Sequence, residues 1–89
     1  MSYITSKKLI GLSVFTESGI FVGKVFDLEI NVDSHAILRY IVKSRLGAIV
    51  AKELIITPAE IVSISAEKMI VKDGTVREIA EARGAVFAG

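Results

Sequence analysis

The sequence predicts an all-β domain, a small β-barrel of about six strands with a short C-terminal helix. Short apolar stretches recur at intervals of about 8–12 residues with turn residues between them, which is typical of a barrel or a sandwich. One long apolar strand between Ser18 and Val32 interrupts its own alternation, as a strand does where it bends sharply. Helical spacing with a capping pattern appears only after Asp73-Gly74, near the end of the chain.

Length and composition indicate one domain that exposes apolar surface. The chain has 89 residues, of which 52% are hydrophobic, and its mean hydropathy is +0.58. A core of this size cannot enclose so much apolar surface, so we expect part of it to face a partner or a second copy. We predict a single domain over residues 1–89, with the barrel at about 7–73 and the helix and apolar tail at about 75–89.

Composition also excludes several kinds of site. The chain has no cysteine, which rules out disulfides, thiol catalysis and cysteine-based zinc sites. A net charge of +1 disfavours a nucleic-acid role, because such domains are usually clearly basic. Charged residues interrupt every apolar run, and the first residues lack the layout of a secretion signal. We therefore expect a cytoplasmic protein without direct membrane insertion.

The N-terminal part predicts a helical turn followed by a hairpin. Thr5 or Ser6 is a suitable cap for one helical turn that ends at Gly11. Residues 12–16 then alternate, with the even-numbered side chains on one face of a first short strand. The turn at 16–19 closes a hairpin, and Gly19 suits a positive φ there.

The central strand predicts a β-bulge. Its alternation is regular from Phe26 onward, but Val25 is out of step and Gly23 lies within the preceding run. A slip of one residue with a glycine in a strand is typical of a bulge or a sharp bend. We therefore expect either Val25 or Phe26 to point inward and the other to be partly exposed.

The later strands follow the same logic. A third strand is predicted at 36–43, with Leu38, Tyr40 and Val42 on one face. Residues 44–52 fit a loop, an extra strand or a hairpin tip, and a compact strand at 53–57 stops at Pro58. Residues 61–66 and 69–72 are predicted to form the last hairpin.

The C-terminal segment predicts a helix from a capping box at 75–78, with Gly84 as its terminator. The tail at 85–89 is apolar, unlike most chain ends. Helix, exchanged arm and docking peptide all remain compatible with this segment.

The sequence resembles the PRC-barrel family, the small β-barrel found in the photosynthetic reaction-centre H subunit and in the ribosome-maturation factor RimM. The likeness begins at K-L-I-G-L-S-V-F (8–15) and is closest at S-G-I-F-V-G-K-V-F-D-L-E-I-N (18–31). The resemblance implies a docking module without catalytic residues. It points to the stand-alone short barrels common in archaea, some of which resemble adaptors that link membrane anchors of the tubulin-like division ring to other proteins.

We predict no catalytic, cofactor-binding or metal-binding residue. Asp27 has no partner that would make it a catalytic acid, and His35 has no second ligand at a suitable spacing. The acidic residues between 27 and 33 alternate along a strand and lack the glycine and distal glutamate of a calcium loop. No helix follows Gly19 or Gly23, and no lysine–serine pair completes a phosphate-binding loop, so both glycines and Asp27 are interpreted as structural.

The sequence predicts a protein-binding function. Apolar residues near the register break, on the charged face of the third strand and in the tail are candidate interface residues: Phe21, Phe26, Ile37, Ile41, Val86 and Phe87. We expect a homodimeric adaptor of archaeal cell division. Its partners would be a second PRC-barrel protein or a division-ring membrane anchor, which would recruit it to the division site. The alternative is a RimM-like ribosome-maturation or RNA-associated factor.

Overall fold

A computed structural model describes residues 2–46, 50–74 and 77–78. They form one helical turn, seven strands and one 3-10 turn at Pro58–Glu60. The elements are α1 (Ser6–Leu9), β1 (Ser13–Thr16), β2 (Phe21–Ile30), β3 (Ile37–Leu46), β4 (Val50–Ile56), β5 (Ile61–Ile64), β6 (Lys68–Val71) and β7 (Arg77–Glu78). The prediction of a mainly β domain with about six strands is confirmed, since β7 is only two residues long. Within the described residues no helix is long and apolar enough to cross a membrane.

The strands form one sheet in the order β5-β6-β1-β2-β3-β4-β7. β1 runs parallel to β6, and the other neighbouring pairs are antiparallel. β5 and β7 are the two edges, and no ladder among the described residues joins them. The described sheet is therefore open, and the predicted closure into a barrel does not occur within it.

The N-terminal predictions are confirmed. Thr5 is the N-cap of α1, and its Oγ1 accepts a hydrogen bond of 3.3 Å from the backbone N–H of Lys8. In the strand that follows, Val14 and Thr16 are buried, as is Leu12 just before it. The turn after β1 places Gly19 at φ +90°, where glycine avoids the steric strain of other residues.

The predicted bulge lies in the middle of β2. Val25 pairs with Val42 and Asp27 pairs with Ile41, so Phe26 is the extra residue. Val25 is buried and Phe26 is about half exposed, at 47%. Of the two alternatives, Val25 therefore points into the core.

Gly23 marks the closest approach of the β2 and β3 backbones. Its φ is +156°, and a Cβ added there would lie 2.2 Å from the carbonyl oxygen of Lys43. No side chain fits at that distance without a backbone shift, so only glycine allows β2 to bend here.

The core lies on one face of the sheet. Leu9 and Leu12 close it from the N-terminal side, and Tyr40 contributes its ring while burial raises the pKa of its phenol. The strands supply its other buried apolar side chains: Val14, Val22, Val25, Val42, Leu54, Ile56, Met69 and Val71. Alternation along the strands places these residues on the same face, and in β2 a register shift against β1 at Val22 brings Val22 and Val25 to that face together.

The segment at 44–52, for which the sequence allowed a loop, an extra strand or a hairpin tip, contributes to two strands. β3 continues to Leu46 and β4 begins at Val50, with Leu46 paired to Val50. Leu38 differs from its prediction, because a second register shift lies between Glu29 and Ile30 of β2 and leaves Leu38 unpaired. Its side chain is exposed rather than buried beside Tyr40.

The predicted C-terminal helix is wrong at the two described positions within its first turn. Arg77 and Glu78 form β7 and pair with Ile55 and Leu54 of β4. An open strand edge offers backbone hydrogen bonds, and here it competes successfully with the local capping pattern. The remaining predicted helix and the tail, including Val86 and Phe87, lie outside the described residues.

Candidate interaction surfaces

The predicted interface residues fall into different environments. Phe21 is 48% exposed and Phe26 is 47% exposed, so both are accessible to a partner. Ile37 is partly buried and packs against the core. The interface role of these three side chains stays a prediction.

Ile41 is not a surface residue. It alternates with the core residues Tyr40 and Val42, and it pairs with Asp27 and Ile55 in the middle of the sheet. Its side chain is nevertheless 0% exposed, so the outer face is closed to solvent at this point. The prediction of Ile41 as an interface residue is therefore corrected. The alternation predicted correctly that its side chain lies on the outer face, but it did not predict that this side chain is buried there.

The far end of the β2–β3 hairpin carries an apolar surface that the sequence analysis missed. Ile30, Val32 and Leu38 are 53%, 81% and 44% exposed. We call these three residues the hairpin-tip surface. The available signal was Val32, an apolar residue within a turn of polar residues.

The hairpin tip is held rigidly by its own turn. Asn31 accepts hydrogen bonds through Oδ1 from the backbone N–H groups of Asp33, at 2.9 Å, and Ser34, at 3.0 Å. His35 donates its backbone N–H to the Asn31 carbonyl at 2.8 Å and has a φ of +64°. The exposed apolar side chains are therefore presented on a fixed frame.

The outer face of the sheet carries a row of lysines. Ser13 of β1 pairs with Lys68 of β6 on one side and with Lys24 of β2 on the other, and Lys24 pairs with Lys43 of β3. We call Lys68, Lys24 and Lys43 the lysine row. Lys43 is in turn paired with Glu53 of β4, so a carboxylate lies at this end of the row. On the same face, Arg39 of β3 and Glu29 of β2 form an ion pair of 2.9 Å.

Aromatic rings lie on both sides of the lysine row. Phe15 and Phe21 pair across β1 and β2, with ring centroids 5.4 Å apart in an edge-to-face arrangement. The ammonium group of Lys68 lies 5.9 Å from the Phe15 centroid. On the other side, that of Lys43 lies 3.8 Å from the Phe26 centroid, within cation–π distance.

Several carboxylates stabilise the backbone. Asp27 accepts a hydrogen bond of 2.8 Å from the N–H of Leu28. Glu60 is buried, and its Oε1 accepts hydrogen bonds from the N–H of Thr57 at 2.9 Å and from its hydroxyl at 3.0 Å. Each of these carboxylates therefore has a local role in the fold.

Asp73 connects the end of the last hairpin to the β1–β2 turn. Its Oδ1 accepts hydrogen bonds from the hydroxyl of Ser18 at 2.9 Å and from its N–H at 3.2 Å. The hydroxyl and then the N–H of Ser18 hold the pKa of this carboxyl below its usual value.

One open groove lies between the N-terminal segment and the β5–β6 turn. Tyr3 and Ile4 line one side, and Ile64 and Ala66 line the other. Within the described part of the chain, no cluster of three or more histidine, aspartate or glutamate side chains has metal-binding geometry.

Comparison with known families identifies the fold. The family model described as the PRC-barrel domain matches residues 1–78 of the 89-residue chain. Among curated proteins the sequence finds no match. The family match confirms the resemblance drawn from the stretches at 8–15 and 18–31, and it covers every strand of the sheet.

Proposed function

This chain belongs to the PRC-barrel family, and we propose that it works as a non-catalytic protein–protein interaction module. The hairpin-tip surface is the observation that carries this proposal. Six of the ten exposed large apolar side chains among the described residues lie between Ile20 and Leu38, and three of these six form the hairpin-tip surface. Apolar side chains concentrated on one rigid element are typical of a binding surface.

A second copy of the chain is the occupant that we propose for the hairpin tip. The surface is self-complementary, because apolar side chains from two hairpins can pack across a two-fold axis without bringing the lysine rows together. Ile30, Val32 and Leu38 would supply the apolar centre of that contact, and the polar residues of the turn would form its rim.

Within this class, we propose a homodimeric adaptor in the archaeal cell-division machinery. The support is the likeness to stand-alone short PRC-barrels, some of which resemble adaptors of the division ring. The protein would then be cytoplasmic and would reach the division site by binding a membrane anchor of the ring or a second PRC-barrel protein.

Sedimentation equilibrium tests the dimer. Val32→Asp introduces a charge at the centre of the proposed contact and should weaken dimerisation at least about tenfold, since a lost apolar anchor is worth more than about 1.4 kcal/mol. Ile20→Asp is the matched control, because Ile20 is 64% exposed at the opposite end of β2. Equal dimer affinity in the two variants would refute the hairpin-tip contact.

Capture of the tagged protein from host lysate, with the bound proteins identified by mass spectrometry, tests the adaptor. Recovery of division-ring anchors with the wild-type protein supports the cell-division role, whether or not Val32→Asp also recovers them. Recovery of small-subunit ribosomal proteins and RNA instead would move the function to ribosome maturation.

A further inference from the structure

The connection that leaves the last hairpin contains Asp73 followed by Gly74. Both residues are exposed. Gly74 has a φ of +74°, and no atom of the described residues lies within 4 Å of a Cβ added there. The backbone nitrogen that follows an aspartate can attack the carboxyl carbon of its side chain, and glycine hinders this attack least because it has no side chain of its own. The pair therefore meets the conditions for succinimide formation.

The reaction needs no co-reactant except water. The nitrogen of Gly74 forms a bond to Cγ of Asp73, and the proton of that nitrogen leaves with the hydroxyl of the protonated carboxyl group as water. Water then adds to the ring and breaks the bond between this nitrogen and the main-chain carbonyl carbon of Asp73. The product is isoaspartate, in which the main chain runs through Cβ and Cγ. Mass and charge are unchanged, but the main chain is one carbon longer.

Ser18 of the β1–β2 turn holds the carboxyl group in its unreactive form. Its hydroxyl donates a hydrogen bond of 2.9 Å to Oδ1 of Asp73, and its N–H donates one of 3.2 Å to the same atom. These bonds hold the pKa of the carboxyl below its usual value, whereas ring closure consumes the protonated form. The imide oxygen of the ring is neutral and accepts weaker hydrogen bonds than a carboxylate. The contact with Ser18 therefore opposes ring closure in the folded protein.

Isomerisation here would alter a connection between opposite parts of the sheet. β6 ends at Val71 beside the edge strand β5, whereas β7 is the other edge of the described sheet. The N–H of Glu17 donates to the carbonyl of Val71 at 2.9 Å, so a backbone bond also joins the β1–β2 turn to the end of β6. Isoaspartate carries its free carboxylate directly on Cα, and the two bonds from Ser18 cannot keep their geometry.

We propose that Asp73 and Gly74 form a site of spontaneous aspartate isomerisation, and that Ser18 limits its rate in the folded protein. The isomerised chain loses the side-chain contact between the last hairpin and the β1–β2 turn. It should therefore unfold at a lower Tm than the intact chain. The inference is independent of the proposed binding function, because none of these residues belongs to the hairpin-tip surface.

Peptide mapping of the aged full-length protein, with enzymatic methylation of isoaspartate to label the product, tests the proposal. Ser18→Ala removes the hydroxyl but keeps the backbone N–H, and it should accelerate isomerisation of the folded protein about fivefold, the factor that corresponds to one net hydrogen bond. Ser65→Ala is the matched control. It removes a hydroxyl from another exposed turn, where that group donates to the carbonyl of Lys68 at 3.2 Å. It should change the rate less than about twofold.

The chain unfolded in guanidinium chloride tests the local chemistry without the Ser18 contact. There the wild type should isomerise faster than when folded, and Gly74→Ala should be slower than the unfolded wild type because its methyl group hinders the attacking nitrogen. If no isoaspartate formed at position 73 in the unfolded wild type, the site would be refuted. Equal rates in the folded wild type and Ser18→Ala, or an equal acceleration by Ser65→Ala, would refute the role of Ser18.

Discussion

The two ends of the β2–β3 hairpin differ in what they bury. At the near end, Gly23 and Val25 of β2 lie against Lys43 and Val42 of β3, and the backbones approach so closely that no side chain fits at Gly23. At the far end, Ile30 and its neighbours across the turn expose apolar surface to solvent. The same hairpin therefore stabilises the fold at one end and offers a binding surface at the other.

Gly23→Ala should have the largest effect on the near end. The added methyl group would collide with the carbonyl of Lys43, and backbone atoms cannot move aside as a flexible side chain does. We expect a loss of more than about 4 kcal/mol in the free energy of unfolding, measured by urea denaturation.

Gly19→Ala is its control, because Gly19 also has a positive φ but no atom within 4 Å of an added Cβ. It should lose only about 1 kcal/mol. Similar losses in the two variants would show that the backbone conformation, rather than the close approach, makes Gly23 necessary.

Ile41→Ala should have the next largest effect. It tests whether the middle of the hairpin, like its near end, is buried and stabilises the fold. Ile41 is wholly buried, and its truncation should remove about 3 kcal/mol of stability. Phe26→Ala, at the neighbouring half-exposed position, should remove about 1 kcal/mol. If Ile41→Ala cost no more free energy of unfolding than Phe26→Ala, the outer face would be open to solvent at Ile41. Ile41 would then again be a candidate interface residue.

His35→Gly should have a small effect of the opposite sign at the far end. His35 has a φ of +64°, which strains a residue with a Cβ, and glycine removes that strain while adding flexibility to the unfolded chain. We expect a gain of about 0.5 kcal/mol, seen as a rise in Tm by calorimetry. His35→Val should instead lose about 1 kcal/mol, since β-branched residues disfavour this conformation most strongly.

The smallest effect is expected at Asp73, which ties β6 to the turn before β2. Hydrogen bonds from Ser18 lower the pKa of the folded state below the ordinary value of 3.8, so the ionised carboxylate stabilises the fold above that pH. This stability is lost as the pH falls through the lower, folded-state pKa. The Tm difference between wild type and Asp73→Asn should therefore shrink on acidification below 3.8. A difference independent of pH would contradict the role of ionisation.

Local patterns in the sequence predicted the features that depend on local geometry. The slip at Val25 and Phe26 gave the bulge, because side chains on a strand must alternate. The second slip, at Leu38, has no glycine and no change of composition to mark it. Alternation placed Ile41 on the outer face, but nothing in the local pattern predicted that its side chain is fully buried there.

Pairing between distant segments could not be read from the sequence. The residues of β1 carry no sign that their second neighbour is β6, because parallel and antiparallel partners impose the same alternation. Arg77 and Glu78 follow a good helix-start pattern, yet they complete a strand edge instead. The lysine row is likewise a product of register, since its three members come from three separate stretches.

The parallel ladder between β1 and β6 also has a kinetic consequence. Ser13 pairs with Lys68, which is distant in sequence. By contrast, β2, β3 and β4 form a meander in which each strand pairs with the next one along the chain. Because closing a long loop is slower than closing a short one, the meander should assemble first and the β5–β6 hairpin should dock last. During synthesis on a ribosome, the backbone groups on one edge of β1 therefore stay unpaired until β6 has left the exit tunnel.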